Sequence, residues 1–583
     1  MSASLVLLTV ITPLALVILW PARRCRAWVG RLGLLAPLPA ILLVAAGEHV
    51  VVDLPWLLLG SRWGVDTTGR VFLGFTAALW LAAGIFARSY LADDPYRDRF
   101  ELFWLLTMSG NLGLIVAQDM VSFLLFFTLM SFSAYGLITH DHRAESLRAG
   151  RIYIALAIFG EILLFWAAVL TVHQTGSFNF SDLARGLGGS PLLNIIAGLV
   201  LVGFGIKLGM MPLHFWLPLA HPAAPTPASA VLSGAIIKTG LLGMMRFLPI
   251  GEVAMYEWGA VCIAVGIASA FTAALIGLTQ HNPKTVLAYS SVSQMGLVSI
   301  GLGATLMAPA AWTTISAAIL LFVVHHAVTK AALFLGVGVA QANIASQTNR
   351  TLVTAGLVLT ALALAGLPLT SGFAAKNALK YAAAAAPEWW ALSLGWLVPL
   401  TGITTTLLVC RFLYLVWPSR QHSHGSLSLP MAVAWGVLTA GTVLVFVSLG
   451  TAEIIPATWS SLAIVKVWAA TWPMLGAGTI VLVLCVHPSL RARLQKIRIP
   501  AGDLAVPVTT ISGWCLQVWT KVVVVGSSAT IRKLRGWFPR GLSLHSPHRL
   551  IRIEQRLGAD LTAGFLVGLL VVVMFALMVF GKQ

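Results

Sequence analysis

Charged side chains are scarce in this sequence. Asp, Glu, Lys and Arg make up only 10% of the 583 residues, whereas 58% are hydrophobic. A soluble protein has about 25% charged residues, so this composition excludes an ordinary soluble domain. Apolar runs of about 18 residues or more recur from end to end, which is typical of a helical protein with many membrane spans. We therefore predict an all-α polytopic membrane protein.

Cysteine pairs are lacking as well. The chain has five cysteines and no CxxC pair; they are Cys25, Cys262, Cys410, Cys485 and Cys515. This spacing offers neither a metal site nor an iron–sulfur site. No flavin, haem or iron–sulfur motif occurs either, so we expect no cofactor in this chain. Any redox chemistry would belong to partner subunits.

Acidic residues are outnumbered by basic ones, and the net charge is +18. A strongly basic chain can indicate a nucleic-acid partner, but here Lys and Arg concentrate in short loops and in one C-terminal segment. That distribution is the positive-inside bias of membrane proteins, combined with attraction to anionic lipid. We therefore expect the basic residues to contact the lipid bilayer, and we expect no nucleic-acid partner.

The hydropathy pattern predicts about sixteen spans of roughly 20 residues each. The first, Leu5 to Trp20, is interpreted as a span because no A-x-A-like cleavage site follows it. The next loop is basic, which places it in the cytoplasm and the N-terminus outside. The further spans are predicted at 31–47, 69–88, 101–118, 119–139, 151–173, 192–211, 228–249, 256–279, 284–306, 309–340, 351–372, 389–417, 429–449, 471–488 and 560–580.

Charge also sorts the loops and the domains. Alternation from the first loop puts basic loops 139–150, 281–284 and 418–424 inside, and acidic loops outside. We divide the chain into N-terminal spans (1–100), a core (101–420), further spans (421–488), a basic segment (489–558) and a terminal span (559–583). The basic segment is too charged to span. It fits an amphipathic helix at the cytoplasmic interface, with a basic linker as the alternative.

Two spans are interrupted by glycine and proline. The first break follows Lys207 and contains Gly209 and Pro212, which we expect to act as a hinge. His214 and His221 come after it, where they either join a proton entry path or cap backbone groups. The second is the sequence AGLPLTSGFAAK, with Pro368, Gly372 and Lys376. Membrane proteins tolerate freed backbone groups only where protein or a water-lined cavity satisfies them. Two such breaks in matching places of two halves predict structural repeats and an ion path between them.

Ionisable residues recur at membrane depth, where each is a functional-site hypothesis. They lie on several predicted spans: Glu161, Lys207, Lys238, His325, His326, Lys330 and Lys376. A buried lysine can exchange a proton near neutral pH, and histidine does so unaided. The alternative for each is structural: a lysine that snorkels, a hydrogen-bonded core histidine, and, at Asp119, a turn residue at a span boundary. Together the row predicts a lateral proton relay.

Four motifs in order resemble the antiporter-like, proton-translocating membrane subunits of respiratory complex I, multisubunit cation/proton antiporters and group 4 membrane-bound hydrogenases, formate hydrogenlyase included. They are PLHFWLPLAHPAAPTPASAVLSG (212–234), HNPKTVLAYSSVSQMG (281–296), HHAVTKAALFLGVG (325–338) and GLPLTSGFAAK (366–376). The resemblance covers roughly residues 100–420. It implies two inverted repeats of five helices, each with a discontinuous helix, and a lateral C-terminal helix.

The resemblance also implies roles and a setting. Lys207 takes the place of the lysine on the first broken helix and Lys238 that of the next helix. His326 and Lys330 take the places of the histidine and lysine in the HHAVTKAALFLGVG motif, and Lys376 that of the charged residue after the second break. The expected partners are other membrane subunits and protons, with sodium as an alternative ion. The expected location is the bacterial cytoplasmic (inner) membrane.

One position departs from the family pattern. The family has a glutamate where this sequence reads FFTLMSFSAY, and the residue here is Thr128. That glutamate pairs with the lysine of the first half, and threonine cannot carry its charge. We hypothesise that Glu161, on the following helix, is a relocated carboxylate. The alternative is a subunit whose first-half path is lost or altered.

Three functions therefore remain open at the level of sequence. The first is a proton- or sodium-translocating subunit of a redox-driven or antiporter complex, with a group 4 hydrogenase-like or multisubunit antiporter-like assembly favoured over standard complex I. The second is a structural membrane anchor with an inactive path, which would tolerate neutral residues at Lys207 and Lys330. The third is a stand-alone secondary transporter, which accounts for the broken helices but less well for the lysine row.

Overall fold

The computed structural model describes residues 2–22, 24–344, 346–417, 424–451 and 464–503. Within these ranges, twelve helices are long and apolar enough to cross a membrane. The chain is therefore an all-α, multi-pass integral membrane protein, as predicted, although the count of sixteen spans is not confirmed. The predicted final span, and the basic segment beyond residue 503, lie outside the described residues.

The N-terminal region combines helices with one hairpin. Its helices are α1 (Ser2–Leu19), α2 (Arg26–Leu32), α3 (Leu38–Ala46), α4 (Thr67–Tyr90) and α5 (Arg97–Val116). Strands β1 (Val50–Leu54) and β2 (Ser61–Val65) pair antiparallel between α3 and α4.

The predicted span at 31–47 is not one continuous helix, and its crossing of the membrane remains a prediction. Helix α2 ends at Leu32, and α3 has only nine residues, too few to cross a bilayer. Pro37 lies directly before α3, and a proline has no backbone N–H to continue a helix across this point.

The core follows, and its centre is one long helix. The elements in order are α6 (Met120–Ile138), α7 (Ala144–Thr175), α8 (Leu183–Leu187), α9 (Leu193–Leu208), α10 (Leu217–Ala223), α11 (Thr226–Val231), α12 (Lys238–Phe247), α13 (Tyr256–Leu278), α14 (Pro283–Met307) and α15 (Trp312–Gln341). Every residue of α14 from Thr285 to Met307 is buried. This helix therefore places its polar side chains in the interior of the molecule.

The remaining elements surround this core. They are β3 (Ala342–Asn343), α16 (Gln347–Ala365), α17 (Ser371–Ala383), α18 (Glu388–Val416), β4 (His424–Ser426), α19 (Leu429–Thr451), α20 (Ile464–Val486) and α21 (Pro488–Gln495). Strands β3 and β4 pair in parallel. The helix pairs α9–α10 and α16–α17 are the two interrupted spans that glycine and proline predicted.

Loops that the charge pattern assigns to one side contact one another. On the side predicted to be outside, the backbone amide of Gln118 donates to the carbonyl of Arg62. The backbone amide of Met120 donates to the carbonyl of Phe178. On the side predicted to be cytoplasmic, Lys284 donates to the carbonyl of Ala224 at 2.8 Å, and β3 pairs with β4. The contacts thus agree with the alternation that the sequence predicts.

Candidate proton-translocation site

The first broken helix ends on a left-handed glycine. Gly209 has a φ of +78°, and its N–H donates to the carbonyls of Gly205 and Ile206. A side chain is strongly disfavoured at this φ, whereas glycine adopts it freely. The following Met211–Pro212 peptide is cis, and the chain turns before α10 begins at Leu217. Gly209 and Pro212 therefore lie at the break, where they were expected.

Lys207 lies close before this break and is only 4% exposed. Its ammonium group donates to the Ser131 hydroxyl at 2.8 Å and to the Tyr153 hydroxyl at 3.2 Å. The Tyr153 hydroxyl in turn donates to the Ser131 carbonyl at 2.9 Å. The ammonium also lies 5.1 Å from the centre of the Phe127 ring, within cation–π range. Side chains from α6 and α7 thus hold the cation inside the bundle.

Glu161 is the carboxylate that we expect to replace the family glutamate missing at Thr128. The Thr128 hydroxyl donates to Oε2 of Glu161 at 2.9 Å, whereas buried Oε1 has no hydrogen-bond partner among the described residues. Glu161 and Lys207 attract each other electrostatically, although no direct ion pair forms between them within 4 Å. Helices α7 and α9 approach closely at Gly160 and Gly203, which brings the carboxylate beside the helix that carries Lys207.

A π-helical turn accompanies the second lysine. Residues Leu232–Ile236 form this turn, in which the amide of Ile237 bonds to the carbonyl of Leu232. The fully buried Lys238 follows, and its ammonium group donates to the carbonyl of Ser233. Such π turns inside α-helices are frequent at functional sites. The π turn leaves the Ser233 carbonyl available to Lys238, whereas in a regular α-helix this carbonyl would accept a backbone hydrogen bond.

The third lysine reaches the same place from another helix. Lys330 on α15 is fully buried and donates to the carbonyl of Leu287, at 2.6 Å, and to the hydroxyl of Ser290. The Ser291 hydroxyl donates to the Leu287 carbonyl at 3.1 Å and lies 2.9 Å from the Ser233 hydroxyl. Serines of α14 therefore connect the groups that hold Lys238 with those that hold Lys330.

The histidines lie around these lysines. His326 shares a helix face with Lys330, as the spacing of four predicted, and both of its ring nitrogens lack a hydrogen-bond partner among the described residues. His221 stacks on the Phe334 ring at 4.6 Å and is close enough to Lys238 and Lys330 to be repelled by them. Both imidazoles are buried in the same polar cluster.

The second broken helix repeats the geometry of the first. Helix α16 ends before Gly366, whose φ is +102°, and the chain turns at Pro368 into α17. Gly372 passes so close to the Ala363 carbonyl and the His325 ring that a Cβ would clash with both. Nδ1 of His325 lies 2.9 Å from the Ser371 hydroxyl. His325 thus joins the second break rather than the lysine cluster.

Lys376 and Asp119 have local partners. Lys376 is half-buried and donates to the Ala365 carbonyl at 2.9 Å, so it caps the last turn of α16. Asp119 accepts bonds from the amides of Ser122 at 2.7 Å and Arg62 at 2.9 Å, which makes it the N-cap of α6. The structure thus places Asp119 away from the lysine row and supports its interpretation as a turn residue.

Sequence reasoning missed several polar members of the site. Ser131 and Tyr153 bind Lys207, and Ser233 and Ser291 connect the other two lysines. Ser291 stood in the motif VLAYSS and Ser233 in the motif that ends in VLSG, but hydroxyl residues are common in membrane helices and gave no separate signal. Tyr153 gave no signal because its contact with Lys207 joins residues 54 positions apart in the chain.

The sequence is similar to that of known membrane proteins. Residues 117–404 match the family model described as "NADH:quinone oxidoreductase/Mrp antiporter, TM". Hydrogenase-4 component B of Escherichia coli (strain K12) is 28% identical over 285 residues, which are 47% of this chain and 42% of that protein. A Na(+)/H(+) antiporter subunit of Alkalihalophilus pseudofirmus is 28% identical over 384 residues, 62% of this chain and 76% of that protein.

A solved structure shares the fold. One chain in the structure of the Mrp complex from Dietzia sp. DQ12-45-1b superposes with a TM-score of 0.71 and 20% identity, covering 93% of this chain and 64% of that one. The class defined here is thus a polytopic, antiporter-like membrane subunit. Residues 117–404 are similar to the NADH:quinone oxidoreductase/Mrp antiporter transmembrane family. It spans about half the length of most of the curated relatives it matches.

Proposed function

We propose that this chain translocates protons as one membrane subunit of a larger complex. The carrying observation is the pair of fully buried lysines, Lys238 and Lys330: Lys330 bonds to α14 at Ser290, and Lys238 bonds to Ser233, whose hydroxyl contacts Ser291 of α14. Neither has a carboxylate within 4 Å among the described residues. A buried charge without a counter-ion is costly. Two such lysines side by side therefore favour groups that gain and lose a proton over groups that stay charged.

Hydroxyl groups supply the connection between them. A serine hydroxyl donates one hydrogen bond while it accepts another, so it can pass a proton along a chain of such bonds. In our proposal protons pass between Lys238 and Lys330 through the polar segment that Ser233, Ser291 and Ser290 line. The Ser233 and Ser291 hydroxyls contact each other, and Ser290 contacts Lys330, so water is needed to complete the path between these groups. His326 and His221, with ring nitrogens free of other described partners, extend it on either side.

The first half contributes Lys207 and Glu161. Movement of a proton on or off Lys207 changes its attraction to Glu161, and Ser131 and Tyr153 hold the lysine in place during this change. Lys376 and His325 would provide the corresponding groups at the second break. The transported ion is the proton in this proposal, with sodium as the alternative that the named antiporter relative suggests.

The assembly is also part of the proposal. The relatives include a component of a hydrogenase and a subunit of an antiporter, both named as parts of larger assemblies. We propose that this chain works with other membrane subunits, in the cytoplasmic membrane of a bacterium. The electron-transfer or ion-exchange partner would be a different chain, because the sequence has no redox motif.

Replacement of Lys330 by methionine tests the proposed function. Lys330→Met keeps the length of the side chain and removes the proton-carrying group. We expect translocation to fall on the order of 100-fold, the size of effect typical of a positioned acid–base group. The measurement is the rate of internal acidification or alkalinisation in proteoliposomes that contain the complex purified with this chain, followed with a pH-sensitive dye under an imposed membrane potential.

Two matched variants control this experiment. Lys496→Met removes an exposed lysine outside the bundle and should leave the rate unchanged. Ser291→Ala should slow translocation, whereas Ser299→Ala, a buried serine on the same helix that bonds to the Cys262 carbonyl, should not. A well-assembled Lys330→Met complex that still moves protons at the normal rate would instead indicate a structural anchor with an inactive path.

A further inference from the structure

The chain after α21 returns to the core at the end predicted to be cytoplasmic. The side-chain amide of Gln280 donates to the Ile499 carbonyl at 2.9 Å, and Arg411 holds the Gln280 carbonyl at 2.8 Å. A Cβ built on Gly502 would lie 2.7 Å from Cγ of Leu219, which shows how closely this segment approaches α10. We call residues 496–503 the return segment.

The return segment delivers one acidic side chain to the first broken helix. Oδ1 of Asp503 lies 3.3 Å from Nε2 of His214, which is fully buried. Asp503 itself is only 11% exposed. Neither of these atoms has a hydrogen-bond partner elsewhere among the described residues, and the Tyr289 ring lies 6.2 Å from the imidazole. The two atoms therefore face each other at ion-pair distance.

The charge pattern makes this contact unusual. Asp503 is the only acidic residue between Glu453 and Glu554, in a stretch that carries many Arg and Lys residues. An attraction of the basic segment to lipid does not explain a buried carboxylate, because burial of a carboxylate is costly unless the group is paired. The single acid of the stretch thus lies where an imidazole can pair with it.

We propose that Asp503 is a positioning residue for His214, and that the return segment closes the cytoplasmic-side mouth of the first broken helix. The inference rests on the proposed function. Because Nε2 of His214 faces the Asp503 carboxylate, Nδ1 is the nitrogen that takes up a proton and then gives it up towards the buried groups, and the carboxylate stabilises the imidazolium in between. Asp503 holds the ring in one orientation and keeps its own charge throughout.

The pair is tested by a double-mutant cycle on the purified complex. Asp503→Asn keeps the shape of the side chain and removes its charge, and His214→Gln removes the imidazole. Each single change should lower the thermal midpoint of the complex, and the double variant should lower it no further than the worse single variant, because both remove one interaction. Arg498→Gln, an exposed charge of the same segment, should leave the midpoint unchanged. Additive effects of Asp503→Asn and His214→Gln would overturn the pairing.

Translocation provides the second readout. Asp503→Asn should slow it about tenfold, and Asp503→Glu should restore most of the rate because it returns the carboxylate. If the stability cycle shows coupling but Asp503→Asn translocates normally while Lys330→Met does not, the positioning role is wrong and the proposed function stands. If Lys330→Met also translocates normally, the proposed function fails and the positioning role with it, while the stability cycle still reports on the contact.

Discussion

At the scale of single residues, the exchange of a glutamate for Thr128 has a partner in the structure. The Thr128 hydroxyl binds the Glu161 carboxylate directly, so the carboxylate of α7 lies against the position from which the family glutamate would project. The carboxylate is also within electrostatic reach of Lys207. The charge that the sequence lacks on α6 is therefore present nearby on α7, which favours relocation over loss.

This relocation predicts a rescue by a swapped pair. Glu161→Gln keeps the acceptor for the Thr128 hydroxyl but removes the charge, so we expect proton translocation to fall about tenfold or more. Adding Thr128→Glu to that variant returns a carboxylate beside Lys207 and should restore most of the rate. The rate is measured in proteoliposomes of the purified complex, with its subunit composition checked for each variant.

Two outcomes would contradict relocation. Normal translocation by a well-assembled Glu161→Gln complex would show that the first half works without this charge. Failure of Thr128→Glu to rescue, in a complex of normal composition, would show that Glu161 acts through some feature other than its charge. As a control, Glu145→Gln removes an exposed carboxylate from the start of the same helix and should have no effect.

At the scale of elements, the two interrupted helices end alike. In each, the glycine and the residue after it bond back to the same earlier carbonyl: that of Gly205 for Gly209 and Met210, and that of Leu362 for Gly366 and Leu367. This is the usual way for a left-handed glycine to end a helix and to satisfy carbonyls left over at its end. The shared pattern supports the predicted repeats, which remain a prediction.

Both glycines should therefore resist substitution. Gly209→Ala and Gly366→Ala each force a Cβ into a left-handed conformation, at a cost of about 1–2 kcal/mol. A Cβ on Gly209 would also lie 2.9 Å from Cδ1 of Leu217, and one on Gly366 would lie 3.2 Å from Cδ of Lys376. We expect a lower thermal midpoint for both variants, measured by fluorescence-detected gel filtration after heating.

Gly395→Ala is the matched control, because its Cβ would meet no atom within 4 Å and its φ is not in the left-handed region. It should leave the midpoint unchanged or raise it, since alanine favours a helix over glycine. Equal midpoints for Gly209→Ala and Gly395→Ala would mean that the break does not depend on the left-handed residue.

At the scale of the whole molecule, the sequence predicts those features that depend on residues close together in the chain. Glycine and proline predicted both breaks, and the spacing of His326 and Lys330 predicted their shared face. Over 31–47 the structure has two short helices instead of one, because average hydropathy does not register the interruption at Pro37. Contacts between residues far apart in the chain, such as Lys207 with Ser131 or His214 with Asp503, produce no local sequence pattern. They are seen only in the three-dimensional structure.

The outer surface of the molecule indicates neighbours. Helix α7 exposes a row of large apolar side chains at helical spacing: Ile158, Phe159, Ile162, Phe165 and Trp166. Such a face requires lipid or another membrane subunit to cover it. Since relatives are named as components of hydrogenase and antiporter assemblies, we predict that part of this surface is covered by other subunits.

Purification of the tagged chain in mild detergent, with mass spectrometry of the proteins that accompany it, checks this prediction. We expect other hydrophobic subunits in fixed proportion to the chain. Accompanying chains with hydrogenase-like, quinone-reductase-like or iron–sulfur sequences would identify this protein as the proton-translocating subunit of a redox complex, in which the other chains transfer the electrons. Only small hydrophobic subunits would identify a multisubunit antiporter. A chain that purifies alone, while still translocating protons in liposomes, would contradict its assignment to a complex and favour a stand-alone transporter.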